Sequence, residues 1–304
     1  MPITTRERFE RALDVVQQDL EHDDHVLAAV LCGSLSYDEV WDKSDIDLVV
    51  ITTDEKERLH NEISLTAEDV NIHTSLIPRN TFRRNLESAA RNSFQHSIYA
   101  RSTLLFSKDP SIDSLYDGIH SLGKHDLHMQ MMGHTQHTIA LLYKAKKWLL
   151  VKNDPHYTAH WVLNTASCLA SVVVSRAGKL VDREALVEAT KLEPELFKLI
   201  YTDLFDKKIS QRSLSVAIEA IDDYLEALAT ELFEPVIEYL KAAFGEPRTS
   251  TELEHHFSRT YGLEHTVTAC EWLSDLGLIE KASVATKLTL HSQNEVEELA
   301  FFVA

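Results

Sequence analysis

The sequence predicts an α+β protein: a small α/β core with a mixed sheet at residues 1–110, a helical bundle at 111–244 and a short third module at 245–304. Three observations carry this. Strand and helix signals alternate through the first segment, as they do in a small α/β domain. From roughly Ser111 to Ala243 strand signals vanish and apolar residues recur at helical spacing. Gly245-Glu246-Pro247 then breaks the helical pattern.

The first element is a helix over Thr5–Leu20, with Phe9, Ala12, Leu13, Val16 and Leu20 on one face and Thr4 or Thr5 as cap. Val26–Cys32 (VLAAVLC) reads as a buried strand, followed by Gly33-Ser34 and a mostly polar stretch. Ile46–Ile51 is a second strand and Val70–Ile77 a third, with Glu55–Leu65 read as a helix between them. Thr81–Ala90 reads as helix and Thr103–Phe106 as a short edge strand. The bundle helices are expected at Leu127–Val151, Thr158–Arg176, Arg183–Lys191, Pro194–Phe205 and Leu214–Phe233, with Gly178 and Pro194 as stop and start signals. In the third module, helices at Ser250–Thr260 and Thr266–Leu276 precede an alternating strand at Lys287–His291 and a last amphipathic stretch to Phe302.

Composition narrows the function classes. The chain has 304 residues, long enough for two or three domains, and is 44% hydrophobic and 26% charged. No apolar run approaches the ~20 residues of a membrane span, and no apolar h-region follows Met1–Glu10. Cys32, Cys168 and Cys270 are scattered and lack CxxC spacing, so a reducing, cytoplasmic location is the expectation. With 30 Lys and Arg against 48 Asp and Glu, the net charge is −18. Such a surface repels a phosphate backbone and favours cationic small partners, so a nucleic-acid partner is not expected. Nothing in the sequence decides for or against a homo-oligomer.

The chemistry concentrates in Cys32-Gly33-Ser34 and Asp45-Ile46-Asp47-Leu48, separated by residues 35–44. Carboxylates two apart on a strand point to one face, while Ile46, Leu48 and Val50 point to the other and bury. Paired carboxylates repel each other unless a cation lies between them, and the hard, oxygen-seeking Mg²⁺ is commonly held by one or two carboxylates plus substrate phosphates. Gly33 and Ser34, at a strand end opening into a helix, offer backbone N–H groups and a hydroxyl to a triphosphate.

This combination resembles the DNA polymerase β nucleotidyltransferase superfamily, whose signature is hG[GS] followed after about ten residues by Dh[DE]h. The resemblance covers roughly residues 20–108, and the helical domain that follows looks like the aminoglycoside and lincosamide nucleotidyltransferase branch. It implies a Mg²⁺-dependent enzyme. A nucleoside monophosphate would pass from an NTP, ATP being the expected donor, to a hydroxyl of a small molecule or a protein, with pyrophosphate released. Gly33 and Ser34 would hold the triphosphate and Asp45 and Asp47 the metal. In the resembling families the helical domain closes over the nucleotide, which makes Lys147 a candidate phosphate contact beside Tyr143 and Lys144.

One position departs from the family. Its third carboxylate, on a later strand, falls here at Asn71, which cannot act as a base or neutralise a metal. On a period-2 strand Asp69, Asn71, His73 and Ser75 share a face, so the candidate bases are Asp69, given a shift of the strand, and His73. Three options stay open: an active enzyme with a relocated base, a slow one, or a catalytically silent nucleotide-binding or regulatory protein.

Weaker signals surround this core. Arg79, Arg83, Arg84 and Arg101 are candidate phosphate forks, against the plainer reading of solvated surface. His125, Asp126, His128, His134 and His137 have spacings that suggest zinc, but 16 histidines make chance pairs common and HExxH is absent. Trp148 and Trp161 read as packing residues, with base stacking as the alternative. The third module resembles a winged helix. Residues 248–304 nevertheless carry four basic residues against nine acidic ones, and Thr266–Leu276 has no Lys or Arg. That is the wrong electrostatic footprint for reading DNA, so packing on the bundle or a dimer contact is expected.

Overall fold

The computed structural model describes residues 4–37, 40–54, 60–89, 98–118 and 124–303. It divides into two compact units, Met1–Leu122 and Gly123–Ala304.

In the first unit, α1 (Thr5–Glu21) starts at a capping box in which Thr4 and Glu7 satisfy each other's backbone N–H groups. It buries Phe9, Ala12, Leu13 and Val16. The strands are β1 (Val26–Cys32), β2 (Ile46–Thr52), β3 (Glu62–Ala67), β4 (Val70–Pro78) and β5 (Thr103–Ser107), in the sheet order β3-β4-β2-β1-β5. The sheet is mixed as anticipated: β2 and β4 run parallel, and the other pairs are antiparallel. One face packs on α1 through Leu31, Ile46, Leu48, Val50 and Ile72. The other carries Ala28, Val30, Cys32 and Ile51, covered by Phe82 and Leu86 of α2 (Arg79–Ala89) and by Ile112 and Tyr116 of α3 (Pro110–Asp117). Because α3 packs into this second layer, the first unit extends past residue 110, where the sequence reading had placed the boundary.

A second correction concerns the expected helix at Glu55–Leu65. Residues 55–59 lie outside the described residues, and residues 62–65 belong to β3, which pairs antiparallel with β4. Exposure alternates along β3, the period-2 signature of a half-buried strand. Glu68 and Asp69 form the tight turn between β3 and β4, both at positive φ (49° and 58°), a hairpin-turn geometry.

The second unit is built on two long helices, α4 (Lys124–Lys147) and α5 (Pro155–Arg176), joined by a π-helical turn at Trp148–Lys152 and by Asn153 in the left-handed conformation. Asp154 caps α5, with Pro155 in its first turn, where a missing N–H costs nothing. The helices α6 (Ala185–Leu192), α7 (Gln211–Ala227) and α8 (Glu234–Lys241) complete the bundle, with a further helical stretch through residues 194–206. Strand β6 (Arg248–Thr249), helices α9 (Ser250–Tyr261) and α10 (Thr266–Asp275), and strands β7 (Glu280–Thr286) and β8 (Val296–Phe302) follow. The small sheet has the order β6-β8-β7, all antiparallel. Lys287–His291, expected as a strand, lies in the connection between β7 and β8.

This last segment shares the bundle's core. Leu253, Phe257, Cys270, Trp272, Leu273 and Phe301 join one apolar cluster with α4, α5 and α7. Phe233 and Trp272 meet at 5.6 Å between ring centroids, and Gln136 Nε2 donates to Thr266 Oγ1 at 3.2 Å. Packing on the bundle, one of the two expectations for this segment, is what the structure shows.

Candidate active site

Strand β1 ends at Cys32, and the chain turns at Gly33 with φ +73° before one 3₁₀ turn at Ser34–Tyr37. Glycine is required here for two reasons. An L side chain is strained at that φ, and an added Cβ would collide with the Asp47 carboxylate, lying 3.3 Å from Asp47 Cγ. The Ser36 hydroxyl and backbone N–H close the turn by donating to the Gly33 carbonyl at 2.7 and 3.1 Å. The glycine turn and the second aspartate of Asp45-Ile46-Asp47 are thus in contact.

Sheet register explains this proximity. Cys32 pairs with Asp47, Asp47 with His73, and His73 with Ser64, giving one row across β1, β2, β4 and β3. Ile46, Leu48 and Val50 are 0%, 2% and 0% exposed on the opposite face, as the alternation anticipates. Asp45 and Asp47 are half-buried. His73 Nε2 lies 3.0 Å from Asp45 Oδ2, and Ser64 Oγ lies 3.4 Å from His73 Nδ1. The Cys32 thiol is pushed up to about 12, first by burial and then by the neighbouring Asp47 charge, which keeps it protonated as a packing residue of the sheet.

Of the residues singled out in the sequence, Gly33, Ser34, Asp45, Asp47 and His73 gather at this end of the sheet. Asp69 does not sit on the strand with His73. It is in the exposed turn before β4, at positive φ, so it does not take the place of Asn71 on the strand face. Asn71 is exposed, one residue before Ile72, the partner of Ile46. Lys147 is exposed in the last turn of α4, in the second unit. Ser64 was missed because its strand was read as helix.

The other candidates resolve into local roles. Arg79 bridges Asp54 (3.4 Å) and Asp109 (3.1 Å), and these carboxylates, Asp109 foremost, raise its pKa. Arg84 donates to Thr81 Oγ1 at 3.1 Å. Lys144 sits over the Trp161 ring at 4.7 Å, and Trp148 packs edge-on against Tyr157 at 4.2 Å. Tyr143, partly exposed, has its hydroxyl pKa raised by burial and then by Asp275. Within the histidine run, His128 pairs with Glu234, and His134 is driven down to about 4 by burial and by His137; the His125 side chain lies outside the described residues. No group of three or more His, Cys, Asp or Glu among the described residues could hold a metal. Among them, no helix is long and apolar enough to cross a membrane.

The Asp45–Asp47 pair fits a hard divalent cation that takes its remaining ligands from water and phosphate, since the donors are all oxygen and only two are protein carboxylates. The side-chain-free Gly33 lies directly against Asp47, where a backbone can approach a phosphate closely.

Residues 15–111, within the first unit, match the family described as "Polymerase beta, Nucleotidyltransferase". Over 97% of its length the chain superposes on 99% of a nucleotidyltransferase-like protein from Exiguobacterium sibiricum 255-15, with a TM-score of 0.67 and 15% identity, which establishes a shared fold. Among curated proteins, no match was found.

Proposed function

We propose that the protein is a nucleotidyltransferase that moves a nucleoside monophosphate from an NTP, with ATP as the expected donor, to a hydroxyl of a small molecule or protein. The observation that carries this reading is the close approach of the Gly33 turn to the Asp47 carboxylate, which would let one face of the sheet take both a phosphate and its metal. Asp45 and Asp47 would hold Mg²⁺. When bound, that ion neutralises phosphate charge and favours in-line displacement at the α-phosphorus. The Ser34 hydroxyl and the backbone beyond Gly33 would orient the triphosphate. The net charge of −18 suits a cationic acceptor.

One observation favours a second reading. Asn71 occupies the place expected for a third carboxylate, and Asp69 is off the strand, so a nucleotide-binding protein without turnover has structural support. Incubation with Mg²⁺, each α-labelled NTP and pools of hydroxyl acceptors separates the two. Pyrophosphate release supports transfer, and nucleotide binding without release supports the silent reading. Asp45→Asn and Asp47→Asn should each lower metal-dependent nucleotide binding or transfer at least 100-fold (roughly the loss of one metal ligand). Wild-type behaviour in both variants would overturn the assignment of this site.

A further inference from the structure

His73 faces Asp45 at 3.0 Å through Nε2 and Ser64 at 3.4 Å through Nδ1. With the imidazole neutral, one arrangement of hydrogens satisfies all three groups. The Ser64 hydroxyl donates to Nδ1, and the Nε2–H donates to Asp45 Oδ2. Both ring nitrogens are then engaged. The imidazole has no lone pair left for an attacking hydroxyl, while one of Asp45's two oxygens is held in place and the other stays available.

We infer that His73 is a positioning residue rather than a base: with Ser64 behind it, it fixes the Asp45 carboxylate in the orientation that receives the divalent cation. The inference rests on the metal-dependent nucleotide site proposed above. Three features support it. The row Ser64–His73–Asp47 is set by backbone register, so the sheet fixes the backbone of His73 and Ser64 beside Asp45, the residue that leads into β2. His73 and Asp45 are half-exposed, at 54% and 47% of their side-chain surface, so the contact adds little to folding and its presence asks for another reason. A hydrogen bond behind a metal-binding carboxylate is also a common means of orienting such a ligand.

The test is calorimetric titration of the full-length protein with a non-hydrolysable ATP analogue over a series of Mg²⁺ concentrations. His73→Leu should raise the half-saturating Mg²⁺ concentration roughly tenfold or more, with little change in analogue affinity at saturating Mg²⁺. His73→Gln, which keeps a donor, should recover most of the loss, and Ser64→Ala should give a smaller shift in the same direction. Thermal unfolding should be unchanged in all three. An unchanged or lowered Mg²⁺ requirement in His73→Leu would overturn the inference, a lowered one marking His73 as a competitor for Asp45. Failure of the wild-type protein to bind the analogue with any Mg²⁺ dependence would instead overturn the proposed function, and this inference with it.

Discussion

Gly33 is the residue on which the first unit's site depends most. Its positive φ alone would make an alanine cost about 1 kcal/mol. The larger consequence is steric, because the new methyl group would push the Asp47 carboxylate aside. That carboxylate is the end of a short side chain and can swing away, so the fold survives while the site does not. Gly33→Ala should therefore lose metal-dependent nucleotide binding to about the extent of Asp47→Asn, with urea unfolding showing a stability loss of only about 1–2 kcal/mol. Retention of wild-type Mg²⁺ dependence in Gly33→Ala would show that the two residues are not coupled. At this scale the sequence was highly legible. A glycine-serine turn and two aspartates two apart are chemical signals that need no tertiary context. Ser64 was not legible, because a lone serine gains meaning only from the strand pairing that sets it opposite His73.

Strand assignments succeeded where apolar runs were continuous and failed where alternation was subtle. β1 was read to the residue, because a seven-residue apolar run is too short for a helix and is buried on both faces. β3 was lost. Its EISLTA segment alternates, but the charged helix formers before it extend a plausible helical pattern into it, and its turn contains neither Gly nor Asn to mark a hairpin. Lys287–His291 shows the converse, an alternating pattern that no partner strand takes up. The helix α4 carries the clearest pH prediction. His134 is held near 4 against an ordinary value of about 6.5, so the unfolded chain binds its proton first as pH falls. The resulting stability is fully present above about pH 6.5 and is lost as pH drops toward 4, up to about 3 kcal/mol. Chemical denaturation at pH 7 and pH 4.5 should show a steeper loss for the wild type than for His134→Leu. Equal slopes would mean that His134 titrates normally.

The molecule contains two separate sets of cores. The apolar clusters around the five-stranded sheet and the cluster of the helical unit have no residue in common. The C-terminal strands and helices belong wholly to the second set, so the sequence-level division into a bundle and a distinct third module overstates their independence. That division could not be read from composition, since the break at Gly245-Glu246-Pro247 interrupts the backbone pattern without interrupting the core. A fragment of residues 123–304 should fold alone, with a helical circular dichroism spectrum and one cooperative thermal transition. A fragment cut before Arg248 should lose that cooperativity, because it forfeits Leu253, Phe257, Trp272 and Phe301 from the shared cluster. A cooperative transition in the shorter fragment would show the last segment to be dispensable.

The glycine bend and Asp47 belong to consecutive antiparallel strands, tied together by six cross-strand partners. Their separation is therefore determined within some twenty-odd residues of chain, by the stiffest part of the sheet. The distance between the bend and the carboxylate is thus a local property of the β1–β2 pair.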